Sequence, residues 1–414
     1  MKRVQLLVAL MAVLTLSAPS TAHDDYRFVL TDSATNTHTD SFSISARDLG
    51  IKGDWSVRKE TLKGGKQDGV DLITIDNGKL KIRVIPTRGM GILDVTSGDV
   101  RLGWNSPVKE VVHPKYVDLD TRGGLGWLDG FNEWMVRCGL EFAGHPGEDS
   151  FTTNTGATAT MDLTLHGKIG NIPASSVEIL IGEDAPHTIR VRGVVHERLF
   201  FGPKLELATE ISTTPGSDTF RIDDRVTNRG AASQEFEIIY HGNYGRPILG
   251  EGSVLHAATK SVAPMNDHAA PGVRGYHIYK KPTPGWVEEV YLLEPYSDAK
   301  GMTSIMLQNP KGDVGTSVTW STSQLPYLTV WKNTTAEADG YVTGLEPGTN
   351  YPFNRSVERK AGRLPVLKPG VSRKFGLEFG IHTGKAAVTK AANKVKAIAN
   401  GRPTKYHEAP PKVD

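Results

Sequence analysis

The chain has 414 residues, with 48 lysines and arginines against 46 aspartates and glutamates for a formal net charge of +2, and its basic residues form no block interleaved with aromatics. That balance argues against a polyanionic partner such as nucleic acid. A single cysteine, Cys138, rules out an internal disulfide, so the fold has to rest on a hydrophobic core, which a chain of this length can bury.

In chain order, Lys2-Arg3, the apolar run Val4 to Leu16 and the small residues Ser20-Thr21-Ala22 have the three-part form of a secretory signal over residues 1–22. The run is shorter than the roughly 20 residues a bilayer core requires. The expectation is an exported protein, periplasmic or secreted, with no membrane insertion once the signal is removed. Residues 23–54 are polar and rich in Ser, Thr and Asp, and read as an arm leading into the domain. From 55 to 385 the apolar stretches are short and alternating, as in Leu80 to Ile85, Thr188 to Val194, Leu205 to Thr213, Phe220 to Val226, Glu235 to Tyr240, Val287 to Leu293 and Tyr327 to Trp331. Alternation of this kind marks half-buried strands. The 44 glycines and 24 prolines fall mostly between these runs, and no helical pattern separates them. The reading is an all-β fold of two large antiparallel sheets facing each other. Residues 386–414 follow as a helix, Ala386 to Ala399, with Val388, Val395 and Ile398 on one face, and then a flexible tail.

Several stretches set polar side chains beside glycine at strand ends. In Pro86-Thr87-Arg88-Gly89 an arginine sits where it can fork to two ligand oxygens, or else decorates a hairpin. Residues 123–139 combine Trp127, Phe131 and Trp134 with Asp129, Glu133 and Arg137, which suits a sugar platform of flat apolar faces and fixed polar edges. A glycine-rich phosphate cradle and a purely structural plug are the competing readings of that loop. His166-Gly167 and His241-Gly242-Asn243 each place an imidazole where a strand gives way to glycine, with Asn243 as a further candidate contact. Glu346 leaves the apolar run Tyr341 to Leu345 for Pro347-Gly348, so it reads as a turn carboxylate: a candidate general base, or a solvated turn residue. Lys332, ending the strand from Leu325, reaches toward an acidic or keto-sugar oxygen or lies in solvent. No His-Glu-x-x-His pair supports zinc, no Gly-x-Ser-x-Gly elbow supports a serine nucleophile, and no cofactor or metal is expected.

The order Arg88-Gly89, His166-Gly167, His241, Glu346 and Lys368-Pro369-Gly370 resembles the aldose 1-epimerase (galactose mutarotase-like) superfamily, over Leu80 to about His382. The Leu165-His166-Gly167, Trp127 to Gly139 and Gly344 to Pro347 stretches resemble a poorly characterised bacterial epimerase-like branch of it. The resemblance implies a β-supersandwich and a small-molecule carbohydrate substrate. It further implies Glu346 as the base that takes the anomeric proton, His241 as the acid at the ring oxygen, His166 as its helper, and Arg88 as a substrate clamp. The family's substrate-binding Asp has no clear match among Asp267, Glu288, Glu289 and Asp298. A sugar-binding protein without turnover, or a lyase or keto-sugar isomerase on the same scaffold, are the alternatives.

Overall fold

The computed structural model describes residues 25–412. The signal-like segment expected over residues 1–22 lies outside them. Two sheets hold almost all the strands. One has ten, from Val254–Ala257 at one edge to Thr37–His38 at the other; the second runs as a path of twelve with Val100–Leu102 paired beside it. Apolar residues from both sheets share one core, in which Trp134, immediately before a strand of the second sheet, meets Phe220 and Phe379 of the first at ring distances of 5.7 and 5.1 Å. This is the sandwich of large antiparallel sheets that the alternating runs predict, with the helix Lys385–Ala399 laid against the first sheet through Val388, Ala392, Val395 and Ile398.

From residue 25 onward the polar arm expected over residues 23–54 takes part in both sheets. Tyr26–Asp32 pairs with Ser176–Ile181 in the first, and Phe42–Ser45 with Ser56–Thr61 in the second. Tyr26, Phe28 and Leu30 alternate along the first of these strands and pack on the core, a period-2 signal that the surrounding Ser, Thr and Asp obscure. The tail past the helix, expected to lack fixed structure, places Lys405–Tyr406 parallel to Thr259–Pro264 and stacks Arg402 on the Tyr296 ring.

In the middle of the second sheet lie four neighbouring strands: Tyr327–Asn333, Val342–Gly348, Glu237–Tyr244 and Met135–Leu140. The last three are buried on both faces. Because side chains alternate across a strand, Ile238, Tyr240 and Tyr244 enter the core between the sheets, while Ile239 and Val342 join a second apolar cluster with Trp127 and Phe131 on the opposite face. That opposite face carries the site.

Candidate active site

Strand register brings the first two groups together. Glu237–Tyr244 pairs Gly242 with Leu345 and Asn243 with Gly344, resuming at Ile239 with Gly348, which sets His241 across from Glu346. The next strand puts Thr329 beside Glu346 on its other side. Glu346 therefore lies inside a strand, not in the turn that Pro347-Gly348 suggests. Proline has no N–H to give the ladder, and the ladder is indeed interrupted between the Gly242 and Ile239 pairs, where Tyr240 and His241 pass Pro347 and Glu346. The interruption lets a carboxyl and an imidazole face each other: His241 Nε2 is 3.3 Å from Glu346 Oε1. Gly344 makes room for this. A Cβ there would lie 2.3 Å from Glu346 Oε1 and 3.2 Å from His241 Cε1, so the carboxyl occupies the space that any other residue would fill.

His166 comes from a loop. Its backbone is left-handed, φ 60°, a conformation more tolerable for His than for most side chains but still strained. Gly167, also left-handed, packs so closely on the residue 139–142 backbone that a Cβ would fall 2.1 Å from the Phe142 carbonyl oxygen, which accounts for the His-Gly pair. The ring Nδ1 lies 3.0 Å from the Ala143 carbonyl oxygen. A carbonyl only accepts, so in the neutral ring Nδ1 carries the hydrogen and Nε2 keeps its lone pair. The two imidazoles meet edge to face at 5.2 Å, and Trp127, Phe131 and Trp331 ring His241 at 6.1, 5.5 and 5.6 Å.

These side chains line one cavity of about 350 Å³, together with Thr329, His145 and Glu288. That volume is within the range of small-ligand sites. A larger, more open groove of about 790 Å³ runs along the first sheet, but its Arg192 is paired with Glu178 and Glu210 and its Arg221 with Asp223, and no histidine lines it. The smaller cavity is therefore the candidate site.

Burial dominates the electrostatics. It pushes the Glu346 carboxyl well above the ordinary carboxylate range, with the charge of Glu288 adding to the effect. It holds His241 well below the ordinary imidazole range, with His166 adding, and lowers His166 to about 4. Desolvation thus favours the neutral pair, protonated carboxyl and free imidazole, over the ion pair. One consequence concerns stability. An unfolded imidazole takes up its proton near pH 6.5 and the folded His166 only near 4, so its contribution is fully present above pH 6.5 and is lost as pH falls toward 4, by about 3 kcal/mol for this ring. Urea midpoints measured from pH 7 to 4 are expected to decline less steeply in His166→Gln than in the wild type; parallel declines would contradict this.

Of the residues singled out in the sequence, the structure gathers Glu346, His241, His166, Trp127 and Phe131 and leaves seven outside the cavity lining, Trp134 among them in the core. Arg88 is no substrate clamp. It is fully buried, its Nη2 2.7 Å from Glu133 Oε1 and its Nη1 donating to the carbonyls of Val112 and Gly130. Glu133 is taken up by that pair. Arg137 lies on the core face of its strand and crosses to the first sheet, where it forks to Asp224 and donates to Thr209. Lys332 is one residue from Trp331 and so points to the other face, donating to the Ile278 carbonyl at 2.8 Å. Asn243 donates to the backbone carbonyls of Glu133 and His241, supporting the strand without lining the cavity. Asp129 is exposed to solvent. Cys138 is a free, buried thiol in the apolar cluster beneath the site, and burial pushes its pKa up. His145 and Glu288 line the cavity and carried little signal; His145 follows Gly144 in a loop with no strand pattern, and Glu288 is one of several acids in its region.

The two-sheet sandwich with this hollow on one face defines a galactose mutarotase-like protein. The chain aligns over 94% of its length with the whole of a Klebsiella pneumoniae protein provisionally called an aldose 1-epimerase, at 39% identity and a TM-score of 0.89. A galactose mutarotase-like protein of Clostridium acetobutylicum (13% identity, 79% of this chain and 98% of that one, TM-score 0.55) and a provisionally assigned aldose 1-epimerase of Escherichia coli K12 (15%, 76% and 100%, 0.51) share the fold. The model of the family described as a domain of unknown function, DUF4432, matches residues 67–381, and the chain belongs to that family. No curated protein matches it.

Proposed function

We propose that this protein is an exported epimerase that interconverts the anomers of a free sugar or sugar derivative by general acid-base ring opening. The observation that carries the reading is the facing pair of Glu346 and His241, 3.3 Å apart and walled by aromatic rings in a cavity of small-ligand size. Export rests on the signal-like residues 1–22, and the name given to the Klebsiella relative supports the reaction class.

Ring opening removes a proton from the anomeric hydroxyl and delivers one to the ring oxygen. Both oxygens are bonded to the anomeric carbon, so the base and the acid have to stand side by side, as Glu346 and His241 do. Between them the pair holds the one exchangeable proton the reaction needs. Moving it from Glu346 to His241 yields the carboxylate base and the imidazolium acid. The open aldehyde then rotates about its terminal carbon–carbon bond, and closure returns both protons on the other face. His166, with its Nε2 lone pair free, orders a neighbouring hydroxyl, while Trp127, Phe131 and Trp331 receive the C–H faces of the ring. Each general acid or base of this type is worth about two to four powers of ten in rate.

The test is one-dimensional NMR or polarimetry on freshly dissolved single anomers. The expected result is interconversion well above the buffer rate, with no solvent deuterium entering at carbon. Binding without acceleration would leave a sugar-binding protein, and deuterium at carbon would move the reading to a keto-sugar isomerase or lyase.

A further inference from the structure

The cavity has a charge character that bears on which sugar it accepts. Among the described residues no lysine or arginine lines it. Of the cations close in sequence to its walls, Lys332 donates to the Ile278 carbonyl, Arg355 pairs with Asp149 at 2.6 Å, and Lys168 lies 3.7 Å from Glu141. A phosphate or carboxylate entering such a site would lose water without gaining a cationic partner. One carboxylate, Glu288, stands exposed on its lining, and it is held in place: its Oε2 accepts a 2.7 Å hydrogen bond from Trp331 Nε1. That bond ties the charge to the same indole that walls the catalytic pair, 5.6 Å from the His241 ring. His145, also on the lining, is solvent-exposed on one side; desolvation lowers its pKa, and the charge of Glu288 acts against that.

We propose that Glu288 and the cation-free lining make this site select its substrate by charge: it takes neutral sugars, holds amino sugars more tightly, and rejects sugar phosphates and uronates. An ammonium group entering the cavity meets a fixed carboxylate and the faces of Trp331 and Phe131, both attractive to a cation. An anion meets the same carboxylate with no lysine or arginine on the lining to offset it. Glu288 acts here as a specificity residue at the entrance, apart from the proton transfers of Glu346 and His241. The proposal rests on the epimerase reading of the site and narrows it.

The experiment compares D-galactose, D-galactosamine, D-galacturonate and D-galactose 6-phosphate, and the corresponding glucose series, on the wild type and on Glu288→Gln. Affinity is read from quenching of tryptophan fluorescence, to which Trp127 and Trp331 respond, and turnover is read separately by NMR. In the wild type the anionic members are expected to bind about tenfold or more weakly than the neutral sugar, with the difference in KM and not in kcat, and the amino sugar more tightly. In Glu288→Gln both differences shrink. Anionic sugars that bind as well as neutral ones, or a charge preference unaltered by Glu288→Gln, overturn the inference even if turnover is robust. A charge preference seen without turnover leaves the inference standing and sinks the epimerase reading alone. No saturable binding by any member of either series overturns both.

Discussion

Glu346→Gln is expected to slow anomer interconversion by about two to four powers of ten while the protein stays folded and still binds sugar. The amide matches the carboxyl in shape, so it fits the space above Gly344 and the gap in the ladder beside Pro347. Burial already disfavours the charged form of Glu346, so a neutral replacement places no new penalty on folding. What the amide cannot do is accept and return a proton. The loss therefore falls on kcat, with KM little changed, as befits an interaction made in the transition state. Single-anomer NMR on the purified variant, beside fluorescence titration for binding, separates the two. A variant that turns over at the wild-type rate would remove Glu346 from the chemistry and with it the proposed mechanism.

Arg88→Met is expected to cost about 3–5 kcal/mol of folding stability and to leave sugar affinity unchanged in the fraction that folds. Both Arg88 and Glu133 are fully buried, and removing the guanidinium strands a carboxylate in the interior beside the peptide groups of Val112 and Gly130 that it also bonded. The pair is local enough for a double-variant cycle. Since a buried ion pair can often be replaced by apolar residues of similar volume at little cost, Arg88→Met with Glu133→Leu is expected to recover much of the loss. Denaturant midpoints of the four proteins measure this coupling directly. If Arg88→Met instead weakened sugar binding at full stability, the arginine would be a ligand contact after all.

The strands were legible because burial on one face writes a period of two into the sequence, as in Lys204–Thr213 and Thr219–Asn228. The two histidines and the aromatic loop were legible for a related reason: glycine beside His166 and His241 marks places where backbone comes close, and the close approaches at Gly167 and Gly242 are present in the structure. Arg88, Arg137 and Lys332 were misread for a reason that runs the other way. Arg137 and Lys332 lie on strands, where a shift of one position reverses the face, and nothing local says which face looks at the hollow; Arg88 lies in the turn after Lys81–Ile85, and nothing local says that its guanidinium folds inward onto Glu133. Glu346 was found through its Pro-Gly neighbours although those residues form no turn. The proline interrupts a ladder inside the sheet, which only the pairing of Glu237–Tyr244 with Val342–Gly348 reveals.

The amino-acid order alone was enough to establish an all-β chain with a late helix, and to single out two imidazoles and one carboxylate as the groups able to move protons, because propensity, periodicity and side-chain chemistry are local properties. Which of the charged residues became ion pairs inside the molecule, that Glu346 and His241 stand 3.3 Å apart, and that Glu288 lines the same cavity, bonded to Trp331, were decided by tertiary structure. Distances between residues a hundred positions apart depend on strand register and on how two sheets pack, and neither is written in any single stretch of sequence.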